Sequence, residues 1–113
     1  YYGMDRKARK VVQYVREHCM QQTLEEMAAG LGYNANYLTG YIKKHTGRNC
    51  RDIMKEVRLN EAMHLLADTG LTVYQVSEAC GYSSPSHFFR IFKESVQMTP
   101  KEYRKQIQAG EGR

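Results

Sequence analysis

The chain contains no tryptophan and only two prolines in 113 residues. Both prolines follow a hydroxyl residue, Ser84-Pro85 and Thr99-Pro100, where proline opens a helix and does not interrupt one. Cysteine is scarce and odd in number, with Cys19, Cys50 and Cys80 far apart and no CxxC pair. That excludes a disulfide framework and favours a reducing compartment. The four histidines are scattered and form no HExxH or Cys/His spacing, so no metal signature exists. No run of about 18 apolar residues occurs and no signal-like segment opens the chain, which argues against a membrane partner and for a cytoplasmic protein. β-Branched residues never alternate for long, so strands are not expected. There is no nucleophile beside a base and no glycine-rich phosphate loop. An enzyme, with or without a cofactor, is therefore not expected. The chain also lacks an initiator methionine and starts close to a helical pattern, as a piece of a longer protein would.

What is present is helix, basic charge and a repeat. Apolar residues make up 42% of the chain, enough for a core, although a unit of about 45 residues would bury little alone. The formal charge is +5, which suits a polyanionic partner. The excess is uneven, with eight Lys/Arg against four Asp/Glu in residues 1–48 and nine against eight in residues 49–113.

The spacing predicts an all-α chain of seven helices. The first runs from about Met4 to Met20 on an apolar stripe of Ala8, Val11, Val12, Val15 and Cys19, with Arg6, Lys7, Arg9 and Lys10 outward. Thr23 and Glu26 form a capping box for the second, which Gly32 stops. Asn34 caps the third, running to about His45 with Leu38, Tyr41 and Ile42 inward. The fourth, from about Cys50 to Ala67, is apolar on more than one side and must touch more than one body. Thr72 caps the fifth, and Ser84 with Pro85 opens the sixth. Thr99-Pro100 opens the seventh, anchored by Tyr103. The expected organisation is a first helix-turn-helix subdomain over 4–48, a linker helix over 49–69, a second helix-turn-helix over 70–107 and a disordered tail over 108–113.

The repeat is visible in two stretches, MAAGLGYNANYLTGYIK and VSEACGYSSPSHFFRIFK. Gly32-Tyr33 and Gly81-Tyr82 lie 49 positions apart, and after the turn the register becomes 50, pairing Leu38 with Phe88 and Ile42 with Phe92. Two helices joined by a tight glycine-containing turn are a helix-turn-helix, here written twice. The major groove admits an α-helix and recurs about every 34 Å along one face of a duplex, so one chain with two such units could read both turns without dimerising.

Residues Arg58 to Arg104 closely resemble the signature region of the AraC/XylS family of bacterial transcription regulators. The resemblance is carried by Arg58-Leu59, Ala62, Leu65-Leu66, Ala79-Cys80-Gly81-Tyr82, Phe88, Phe92-Lys93, Thr99-Pro100 and Tyr103-Arg104. TLEEMAAGLGYNANYLTGYIKKHTG is similar to that family's first helix-turn-helix. The resemblance implies double-stranded DNA as partner, with the second helix of each unit in a major groove. It also implies a sensor domain in the full-length protein, contact with RNA polymerase and homodimerisation through the missing domain.

The stripes opposite the expected cores give the site candidates. In the third helix these are Asn36, Thr39, Gly40 and Lys43, with Lys44 beside them. In the sixth they are Ser86, Phe89, Arg90 and Lys93, with His87 near the start. Asn36 suits adenine, Arg90 guanine or phosphate, Phe89 a thymine methyl or the core, and the lysines phosphate. Two residues depart from the family pattern. Gly40 stands where a large polar residue is expected, and Gln97 stands where the family usually has a capping glycine. Gly40 and the even charge of the second half leave one alternative open, a helical protein-interaction module without DNA binding.

Overall fold

The computed structural model describes residues 5–111. Among them are seven α-helices and no strand. They are α1 (Arg6–His18), α2 (Leu24–Gly30), α3 (Ala35–Thr46), α4 (Cys50–Asp68), α5 (Val73–Ala79), α6 (Pro85–Val96) and α7 (Pro100–Glu111). The chain divides into two compact units, Tyr1–Val57 and Arg58–Arg113. The division falls inside α4, whose first half belongs to one core and whose second half belongs to the other. The expected linker helix over 49–69 is thus a part of both units.

Asp5 starts α1, its carboxylate accepting from the Ala8 N–H at 2.7 Å. The expected start at Met4 lies outside the described residues. The stripe of Ala8, Val11, Val12, Val15 and Cys19 is buried. Val11, Val15 and Cys19 of this stripe pack with Leu24, Met27, Leu38, Ile42 and Ile53 into the first core. Tyr41, expected inward with Leu38 and Ile42, is only half-buried. It lies toward the edge of the core, where its phenol reaches the surface.

The second core gathers Leu59, Ala62 and Leu66 of α4 around Val76, Cys80, Tyr82, Phe88 and Phe92. Phe92 meets Tyr103 of α7 edge-on at 5.7 Å between ring centroids. Arg104, on the same helix, donates from Nε to the Leu66 carbonyl at 3.0 Å and from Nη2 to the Thr69 carbonyl at 3.4 Å. It thereby satisfies carbonyls at the end of α4, which have no partner within the helix.

The two units share their turn geometry. Gly32 and Gly81 adopt φ of +77° and +88°, the left-handed conformation that costs glycine nothing. After each, a tyrosine N–H returns to the preceding helix, Tyr33 to the Ala28 carbonyl and Tyr82 to the Ser77 carbonyl. Both lead helices carry reciprocal capping boxes, Thr23 with Glu26 and Thr72 with Gln75. A third box, Thr99 with Glu102, opens α7. The ends of α3 and α6 also match. Gly47 closes α3 at φ 74° and Gln97 closes α6 at φ 67°. Gln97 therefore holds the left-handed position without glycine's freedom, and its side-chain Nε2 donates to the Glu94 carbonyl.

At the C-terminus α7 reaches Glu111, past the Gln108 expected to begin a disordered tail. Gln108 and Ala109 are good helix formers, and they prolong the helix beyond its last packed side chains. The final two residues of that expected tail lie outside the described ones.

Candidate nucleic-acid interface

α3 is anchored by Leu38 and Ile42, both fully buried. Helical geometry puts the outermost line of side chains opposite them, on Asn36 and Gly40 one turn apart. Asn36, Tyr37, Gly40, Lys43 and Lys44 are all exposed. Thr39 is not among them. It is half-buried on the flank, and its hydroxyl donates to the Ala35 carbonyl at 2.8 Å. Lys43 directs its ammonium to the Gly47 carbonyl at 3.1 Å, beside the C-terminal end of the helix, where a cation is favoured.

The side of α3 next to that line carries an aromatic ladder. Tyr33 and Tyr37 lie 4.7 Å apart between ring centroids, Tyr37 and Tyr41 6.1 Å, and Tyr41 and His45 4.2 Å. Lys7 of α1 extends over it, its Nζ 6.0 Å from the Tyr33 ring centre and 5.4 Å from that of Tyr41. The phenols of Tyr33, Tyr37 and Tyr41 raise the Lys7 pKa. Burial, and then the Asp5 carboxylate, raise that of Tyr41. Tyr37 and Lys7 escape a search limited to the stripe opposite the core. The four-residue recurrence of Tyr33, Tyr37, Tyr41 and His45 was the available signal.

Gly40 leaves a gap in this surface. A concavity of about 430 Å³ is lined by Asn36, Tyr37, Gly40, Tyr41, Lys44 and His45. A Cβ at Gly40 would meet nothing within 4 Å.

α6 presents the corresponding surface in the second unit. Phe88 and Phe92 are fully buried, and Arg90 takes the outermost position that Gly40 has in α3. Ser86, His87, Arg90 and Lys93 are exposed. Phe89 is 44% exposed, so it is not a core residue of this unit. Ser84 caps the helix, its Oγ accepting from the His87 N–H at 3.3 Å.

Other cations have different settings. Arg48 pairs with Glu56 at 2.7 Å, and Arg16 approaches the same carboxylate at 3.7 Å. Arg6, Arg9 and Lys10 line a shallow cleft along α1 with Gln13, Tyr14 and Glu17. Among the described residues no three His, Cys, Asp or Glu side chains form a group that could hold a metal. All three cysteines are buried. Burial pushes the Cys50 and Cys80 thiols up to about 11.

The chain is similar in sequence and fold to known proteins. Residues 27–106 match a family described as “Helix-turn-helix domain”. The xylose operon regulatory protein of Escherichia coli (strain K12) is 29% identical over 96 residues, covering 84% of this chain and 24% of that protein. The chain thus spans about a quarter of that relative's length. The C-terminal domain of AraT, a response regulator from Geobacillus stearothermophilus, superposes with a TM-score of 0.80 at 27% identity, over 92% of this chain and 88% of that one. The DNA-binding domain of AdpA, a global transcriptional factor solved in complex with a target DNA, has the same fold. Its TM-score is 0.76 at 24% identity, over 90% of this chain and 93% of that one.

Proposed function

Since the chain belongs to the AraC-type helix-turn-helix family, we propose that it binds double-stranded DNA sequence-specifically and regulates transcription, with α3 and α6 entering successive major grooves. The observation that carries this reading is the repeated exposed face. In each unit a helix follows a capped helix and a left-handed glycine turn, buries two apolar residues and exposes polar and cationic side chains opposite them. Such a face meets the two requirements of groove reading, hydrogen-bonding groups for base edges and cations for phosphates.

Roles follow from position. Asn36 reads adenine with its amide. Arg90, the outermost side chain of α6, reads guanine, with His87 and Ser86 toward the helix start. Phe89 lies against a thymine methyl at the edge of that contact. Lys43, Lys44 and Lys93 neutralise phosphates. Thr39 contributes its methyl group from the flank. The full-length protein, in this reading, adds a sensor domain, acts in the cytoplasm, homodimerises through the missing part and touches RNA polymerase. The small share of the xylose regulator's length that this chain spans supports that reading.

Selection from a random duplex library at about 100 mM salt tests the proposal. Two short motifs about 10 base pairs apart are expected. Their recovery would show both helices reading bases. If no duplex is enriched and affinity does not fall with added salt, phosphate neutralisation is absent. The chain is then a protein-interaction module.

A further inference from the structure

The concavity over Gly40 has a shape and a chemistry that select one kind of base-pair edge. The geometry points to Gly40 as a specificity determinant, a notch that receives the 5-methyl edge of a thymine in the motif read by α3. The inference rests on the DNA-binding reading above and names the base that the first unit prefers.

Three observations carry it. First, Gly40 holds the outermost position of α3, where α6 has Arg90, so the side chain is missing at the point nearest a bound groove. Second, the gap is framed and not filled. Asn36 lies one turn before it and Lys44 one turn after, with Tyr37 and Tyr41 beside it. Third, a close approach to Gly40 offers apolar contact alone. The residue lies inside α3, beyond the first turn, where backbone N–H groups are already bonded within the helix. A phosphate oxygen over Gly40 itself would find no free backbone donor; the donors of the concavity stand at its rim, in Asn36 and Lys44. On the major-groove edges of the four base pairs, the thymine methyl is the single apolar group. Asn36 then faces an adjoining base pair, where its amide suits adenine, so the α3 motif is rich in A·T pairs.

The test replaces each thymine of the selected duplex in turn by uracil, which lacks only the methyl. For the unsubstituted chain, one uracil in the α3 motif should weaken binding about fourfold, the worth of one buried methyl group. Gly40→Gln closes the notch with a polar side chain. It has open space at Cβ and a better helix propensity, so the variant folds. It should bind thymine and uracil duplexes equally while keeping its dependence on the guanine of the α6 motif. If the unsubstituted chain still selects base sequence but ignores every uracil in the α3 motif, the notch is wrong and the DNA reading stands. The notch is equally wrong if uracil sensitivity persists in Gly40→Gln. If no duplex is enriched at all, the DNA-binding reading fails and the notch fails with it.

Discussion

At the residue scale, the two units differ most at one pair of positions. Arg90 extends from the crest of α6, whereas Gly40 leaves the crest of α3 bare. Replacing Arg90 by Ala should weaken binding to the selected duplex by roughly 1–3 kcal/mol and relax selection at one guanine. Equilibrium titration on the selected and base-substituted duplexes checks both effects. Lys7 is a cation of another kind, held over the Tyr33 and Tyr41 rings. Lys44→Ala, at a cation proposed above to neutralise a phosphate, should weaken binding evenly across sequences and reduce the slope of log affinity against log salt by about 1, the mark of one phosphate contact. Gln97 pays a conformational cost at φ 67°. A left-handed non-glycine residue is disfavoured by about 1 kcal/mol, and the hydrogen bond to Glu94 offsets part of that. Gln97→Gly should therefore raise the melting temperature, with DNA affinity unchanged.

At the element scale, the lead helices α2 and α5 have seven residues each. Helices so short are not stable alone and depend on caps and packing. Thr23→Ala and Thr72→Ala should each cost about 1 kcal/mol in denaturant unfolding, since each deletes one half of a reciprocal box. The third box adds a pH dependence. Hydrogen bonds from Thr99, its backbone N–H first, lower the pKa of Glu102 from the ordinary 4.5. Its contribution to stability is present above that ordinary value and is lost as the pH falls through the lowered one. Glu102→Gln should lower the neutral plateau slightly and flatten the acid limb of a stability profile. Arg104 joins α7 to the end of α4 through two carbonyls. Arginine serves because its fork reaches both from one side chain.

At the scale of the whole molecule, charge is divided between the units. Residues 1–57 carry ten Lys/Arg against six Asp/Glu, and residues 58–113 carry seven against six. The first unit therefore supplies most of the non-specific attraction to a polyanion. The buried thiols matter at this scale too. With Cys50 and Cys80 held at about 11, little thiolate exists at neutral pH. A thiol reagent should leave the native chain unlabelled and label all three cysteines in denaturant. Their protonated burial adds stability that is complete below the ordinary 9.0 and is lost as the pH climbs to about 11.

The sequence by itself determined the seven helices, most of their N-terminal caps and the doubled helix-turn-helix, because these depend on local chemistry. A hydroxyl before a carboxylate three residues on, a glycine where φ is positive and an apolar residue every turn each act within a few positions. The repeat register of 50 was enough to pair Gly40 with Arg90. Tertiary structure decided what lies at the margin of a buried stripe. Tyr41 moved to the edge of the core and Phe89 stayed exposed. In each case a stripe of helical spacing sets the direction of a side chain only to within part of a turn, and the neighbouring helices settle the remainder. The Lys7–tyrosine ladder needed α1 to be brought against α3, and the notch needed the walls that the ladder provides. Contacts between residues distant in the chain have no period to reveal them, and only packing brings them together.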